Sequence, residues 1–402
     1  MKKRIFTLTA TSILLLSVAA SHAQAPPGSQ PAPSNARYAE YPAISPDDRV
    51  TFQLSAPLAQ KVQVIPGEDE KGNGLGKGPF DMVKDNKGVW WVTVGPVTPG
   101  FHYYKFLVDG ALVADPATQN YFAFDGGASG VEVPAAGLDF YLPKNVPHGD
   151  VRIHWFYSKV TETWLRVHIY LPPGYDSNTK TRYPVVYLRH EGSEDDSAWV
   201  FQGKLNFIMD NLIAEKKAKP MIVVMDNDHV YNPKEPKIKN ERPNKPMAPP
   251  NRYKEEMITD LVPMIDATYR TIADRNHRAI AGMANGGGEA LLIAFDPKDD
   301  LFSYAGAFSC GYCTTAVQGP ATVTTIFDGI WKDPATFNKN FHLFYLSAGT
   351  LEMHHKFIPE LHDKLTAIGV KSVYHEVGGA GGTHEWLNAR EAFRDFAPRL
   401  FQ

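Results

Sequence analysis

Ala281-Gly282-Met283-Ala284-Asn285-Gly286-Gly287-Gly288 lies between a short apolar strand, Arg278-Ala279-Ile280-Ala281, and a helical stretch from Glu289 to Phe295. Glycine at half of these eight positions permits a tight strand-to-helix crossing that side chains would obstruct. A strand that runs through such a turn into a helix is a building unit of a parallel α/β sheet.

The same alternation extends on both sides of the turn. Leu165 to Leu171, Tyr183 to Leu188, Met221 to Met225, Phe302 to Phe308, Phe341 to Leu346 and Val370 to Val377 read as strands. Helical spacing runs over Asn206 to Lys217, Met257 to Tyr269, residues 353–368 and Trp386 to Leu400. Nearly continuous apolar strands between helices predict a mostly parallel sheet covered on both faces, over residues 150–402. The polar, Pro-rich stretch 232–252 is a long loop after one of these strands.

Upstream the period changes. Val50 to Leu54, Lys61 to Ile65, Gly88 to Val94 and Phe101 to Val108 alternate or run as short strands, and Asp109-Gly110 is a hairpin signal before Ala111 to Val113. Residues 37–140 are therefore expected to form a small all-β sandwich. Residues 24–36, QAPPGSQPAPSNA, lack periodicity and read as a flexible leader. At the start, Lys2-Lys3-Arg4, the apolar run Ile5 to Ala20 and Ser21-His22-Ala23 form a signal peptide, 1–23, which directs export.

Composition narrows the class. The 402 residues are 43% hydrophobic, enough for real cores and too many for wholesale disorder. Net charge is -3, with Lys+Arg 41 against Asp+Glu 44, so no basic field for nucleic acid exists. Removing the three positive charges of residues 1–23 takes the net from -3 to -6. No later run is long enough to span a membrane. The 2 Cys, Cys310 and Cys313, form a C-x-x-C that in an exported protein is expected to close as a local disulfide. Oligomeric state is not readable from the sequence.

Several stretches together resemble a known family. These are Gly88-Val89-Trp90, Pro99 to Tyr104, Val146-Pro147-His148-Gly149, Tyr170 to Tyr175, Lys219 to Val224 and the Gly282 to Gly288 turn. They resemble the feruloyl, acetylxylan and enterochelin esterases. Those are α/β-hydrolases preceded by an immunoglobulin-like module similar to carbohydrate-binding modules. The resemblance implies a nucleophilic serine on the turn, a histidine base, a carboxylate that orients it, and backbone N–H groups for the oxyanion. By position, His384 in Gly382-Thr383-His384-Glu385 is the histidine and Glu352 the carboxylate, preferred over Glu360 and Glu376. Asn285 and Gly192 are placed at the oxyanion site. No cofactor is implied.

Two positions depart from the pattern. The nucleophile position holds Ala284, and a methyl group cannot attack a carbonyl. In His190-Glu191-Gly192, Glu191 stands where the family has glycine. Two separate departures favour natural divergence over a single knock-out. Three readings follow: an ester-binding protein with serine hydrolysis lost or strongly impaired, a hydrolase of altered mechanism using Glu191, His384 and Glu352, and a purely glycan-binding protein. Ser309 and Cys310 are weaker substitutes for the serine. A metal held by His190, His229, His354, His355 and His384 lacks ligand spacing. The expected ligand is a carbohydrate or ester-bearing small molecule. His190, His229, Trp199 and Trp386 are candidates to contact it, with Tyr231, Tyr253 and Trp331 as further sugar-stacking walls.

Overall fold

The computed structural model describes residues 25–67, 74–123, 126–227, 230, 234, 251–296, 298, 300–314, 317 and 323–402. The expected signal peptide 1–23, His229, Tyr231 and most of the 232–252 loop lie outside the described residues.

Eight strands form the larger sheet. In spatial order they are Asp150–Ser158, Thr163–Leu171, Ile222–Met225, Val185–Arg189, Arg278–Met283, Tyr304–Phe308, Leu343–Gly349 and Val373–Val377. Thr163–Leu171 pairs antiparallel with both its neighbours, and all later pairings are parallel. The five strands from Ile222–Met225 to Leu343–Gly349 are buried at every residue. That is why they read as unbroken apolar runs. Their side chains alternate between two cores. Val185, Tyr187, Ile222, Val224 and Ile280 face one core, while Val186, Leu188, Val223, Met225 and Ala281 face the other.

The edge strand Asp150–Ser158 is not apparent in the sequence. Its outward residues Ile153, Trp155 and Tyr157 are apolar yet exposed, so the polar-out pattern of a half-buried strand is missing.

The N-terminal residues form two antiparallel sheets. One contains Val50–Ser55 and Val89–Val94; the other contains Val62–Pro66, Gly100–Val108 and Gly126–Val133. They pack face to face through Val50, Phe52, Val64, Trp90, Tyr104, Phe106 and Val131. The leader expectation for 24–36 needs correction. Gln30–Pro31 pairs with Ala43–Ile44, and the Asn35 side chain donates to the Ala39 and Pro42 carbonyls. Proline is tolerated there because the strand lies at the sheet edge.

The sandwich and the α/β sheet share one core. Phe101, Tyr121, Phe140 and Tyr141 from the N-terminal side pack into the same cluster as Trp199, Leu205, Trp386 and Leu387. At this junction Arg390 and Glu132 form a buried bidentate pair, with N–O distances of 2.7 and 2.8 Å. The Arg390 guanidinium also lies 4.4 Å from the Tyr141 ring and donates to the Gln202 carbonyl. Breaking such a pair strands one buried charge. Glu132→Ala is expected to lower unfolding free energy by about 3–5 kcal/mol, measured by denaturant titration. Glu132→Ala with Arg390→Met should recover part of that loss.

Candidate functional site

The turn after Arg278–Met283 is an elbow held by missing side chains. A Cβ on Gly286 would lie 2.1 Å from the His190 carbonyl oxygen, and one on Gly282 would lie 2.4 Å from the Gly286 carbonyl carbon. The helix starts at Ala284 and runs to Ala294, five residues earlier than its sequence suggests. Glycines weaken a helix by propensity, but here close packing requires them. Between strand and helix, Ala284 has φ 51. This left-handed conformation is disfavoured for any residue with a Cβ.

The loop facing the elbow leaves strand Val185–Arg189. Arg189 anchors its root: the buried guanidinium pairs with Asp226, donates to Glu289 at 3.1 Å and lies 3.5 Å from the Tyr253 ring centroid. Burial, with Asp226 close by, pushes the Glu256 carboxyl up to about 8. At neutral pH that group adds little negative charge to the cluster. Beyond Arg189, the Glu191 carbonyl accepts from His190 Nδ1 at 2.6 Å and from the Glu194 N–H at 3.2 Å. Gly192 faces Asn285, since a Cβ there would lie 2.4 Å from Asn285 Nδ2. The structure therefore brings Asn285 and Gly192 together. Glu191 is half-buried, and its charge reaches the buried Glu194. Burial first, and Glu191 second, hold the Glu194 carboxyl well above the usual range.

His384 precedes the last helix, Trp386–Phe396. Its Nδ1 bonds the Glu352 carboxylate, whose other oxygen accepts the Gly349 N–H at 2.8 Å. Glu352 is buried, just beyond the end of Leu343–Gly349. The elbow and Gly349 thus stand at the C-terminal edge of the same parallel sheet, where such folds place their sites. A chain of contacts spans the gap. A Cβ on Gly288 would meet Tyr312, one on Gly311 would lie 3.3 Å from the His354 ring, and His354 meets the His384 ring edge-on at 5.5 Å.

Other expected residues are placed differently. Trp199 is buried, donates to the Arg189 carbonyl at 2.8 Å and packs on Trp386. Trp386 is also buried and donates to Glu194 at 2.9 Å. Tyr253 and Trp331 are buried in the core. None of the four is a sugar-stacking wall, because no ring face reaches solvent. His190 is likewise buried against its own loop. Cys310 and Cys313 are separate buried thiols rather than a disulfide. Cys310 Sγ instead accepts the Cys313 N–H at 3.2 Å in a helical turn. Burial pushes the Cys313 thiol up. Among the described residues no group of three or more His, Cys, Asp or Glu could hold a metal.

Sequence reasoning missed His102, Tyr103 and Glu194, which lie within reach of the His384 loop. Each looks like an ordinary strand or loop residue, and only the long-range packing reveals its partner.

The Ala284 backbone supplies a direct check. Ala284→Gly removes the Cβ from a left-handed position. The gain of about 1–2 kcal/mol, less about 0.5–1 kcal/mol of glycine's entropy cost, predicts a slightly more stable protein in chemical denaturation. A loss of stability would mean that Ala284 does not adopt this conformation.

Comparisons with known proteins agree with this architecture. Residues 158–342 match the Esterase family, described as "Putative esterase". The chain is 34% identical over 384 residues to an endo-1,4-beta-xylanase/feruloyl esterase from Xylanibacter ruminicola, an alignment covering 92% of this chain and 47% of that protein. It thus spans about half the length of that relative. Among solved structures it is similar to a ferulic acid esterase from Anaeromyces mucronatus, at 25% identity and TM-score 0.53, covering 65% of this chain and 95% of that one. The enterobactin esterase of Shigella flexneri shares the fold, at 17% identity and TM-score 0.59, covering 87% of this chain and 92% of that one. Among the described residues no helix is long and apolar enough to cross a membrane. With its eight-stranded sheet and glycine elbow, the α/β portion of this chain has the α/β-hydrolase fold, and over the matched residues it is feruloyl esterase-like.

Proposed function

We propose that this chain is an exported, ester-binding member of its family in which ordinary serine hydrolysis is lost or strongly impaired. The observation that carries the reading is Ala284 in the elbow's left-handed position, with the His384–Glu352 pair intact at the same sheet edge. In this reading His384 is the base position, Glu352 orients it, and Asn285 and Gly192 flank the oxyanion site. Ala284 offers no nucleophile to accept an acyl group, so the bound ester stays whole. The ligand class is a hydroxycinnamoyl ester of plant polysaccharide, by analogy with the feruloyl esterase relatives. Residues 1–23 direct export.

Glu191 supports the same reading. A carboxylate beside an oxyanion site opposes the negative charge that hydrolysis develops there. A serine-independent route through Glu191, His384 and Glu352 remains the alternative, and it requires turnover by the native chain.

Ala284→Ser tests the proposal. The elbow already holds the needed backbone, so this single change is expected to raise methyl ferulate hydrolysis by at least about 10²-fold, a fraction of what a triad nucleophile contributes. Glu191→Gly added to it should raise the rate further. A folded Ala284→Ser protein with no gain would contradict the claim that only the nucleophile is missing.

A further inference from the structure

His102 and Tyr103 are neighbours on the sandwich strand Gly100–Val108. Successive strand residues point to opposite sides, and these two grip different parts of the α/β domain. His102 Nδ1 lies 2.7 Å from Glu385 Oε1, and its Nε2 lies 2.6 Å from the Thr98 carbonyl. A carbonyl and a carboxylate only accept, so this geometry places both ring nitrogens to donate and favours the imidazolium form. Burial opposes that charge, but the Glu385 carboxylate outweighs it and moves His102 upward. The other Glu385 oxygen accepts the Gly74 N–H at 3.0 Å and the Thr383 hydroxyl at 3.1 Å. His384 therefore sits between two residues tied to each other and to the sandwich.

Tyr103 takes hold of the second loop. Its hydroxyl donates to Glu194 Oε1 at 2.7 Å and accepts from Gln202 Nε2 at 2.7 Å. Glu194 Oε1 also accepts Trp386 Nε1 at 2.9 Å. Glu194 lies two residues after Gly192, and Trp386 lies two residues after His384.

We infer that His102 and Tyr103 are positioning residues, through which the N-terminal sandwich fixes the His384 loop relative to the Gly192 loop. The sandwich is then part of the site's framework rather than a detachable binding module. The inference rests on the esterase reading only for its kinetic consequence.

The test uses the full chain with two independent readouts. The first is the proton NMR signal of His384 Nδ1–H against Glu352, assigned by its loss in His384→Ala. In His102→Ala this signal should broaden or disappear, and His102→Asn, which keeps a donor near the Nδ1 position, should restore it. The second is kinetics in the Ala284→Ser background. There His102→Ala should lower kcat at least about tenfold with KM within about twofold, since small misplacement of a catalytic group costs rate steeply. Should His102→Ala fail to fold, Tyr103→Phe, which deletes only the hydroxyl, should disturb the signal and lower kcat in the same direction. A folded His102→Ala or Tyr103→Phe protein with an unaltered signal and unaltered kcat would overturn the inference. An inactive Ala284→Ser protein whose signal still depends on His102 would support the brace while sinking the esterase reading.

Discussion

The backbone of the elbow helix touches the His190 carbonyl, where a Gly286 Cβ would lie 2.1 Å from the oxygen. The arrangement around the site depends on that approach. It seats the start of the helix against the loop carrying Gly192, and it brings Asn285 over Gly192. It also fixes Ala284 in a backbone conformation that a residue with a Cβ does not favour. The strand end beneath is held by Arg189, whose charge is matched in the core by Asp226 and Glu289. Moving any of these groups would shift both halves of the proposed oxyanion site together.

Around this contact lie the costly parts of the proposed site. Burying Glu352 requires partners, and it has the Gly349 N–H and His384. Holding Ala284 at φ 51 costs backbone energy. In the proposed reading these features still shape a pocket for the ester. In that reading the nucleophile's oxygen atom is absent while Ala284 keeps the left-handed backbone of the elbow. The buried pair of His102 and Glu385, and the bidentate pair of Arg390 and Glu132, add two polar ties between sandwich and sheet. Removing one partner of such a pair leaves the other charge buried and uncompensated.

Much of the fold was legible because burial leaves a mark on sequence. Val185–Arg189 and Ile222–Met225 are covered on both sides and read as apolar runs. The elbow was legible through Gly282 and Gly286, where two backbones meet. His384 and Glu352 were found by resemblance, and the structure pairs them. Asp150–Ser158 was hidden because Trp155 and Tyr157 are exposed. Trp199 and Trp386 were misplaced because composition cannot tell a ring facing ligand from one facing core. Cys310 and Cys313 were misread for a related reason: a C-x-x-C spacing suits a disulfide and a helical turn equally. His102 and Tyr103 were invisible, since their partners lie 283 and 91 residues away in the chain.

In the proposed reading the native chain binds a feruloyl ester and leaves it whole. Isothermal titration with a feruloylated xylo-oligosaccharide, followed by mass analysis of the recovered ligand, measures both parts at once. Saturable binding and recovery of the intact ester after prolonged incubation are the expected result. Release of free ferulate by the native chain, abolished in His384→Ala, would contradict it.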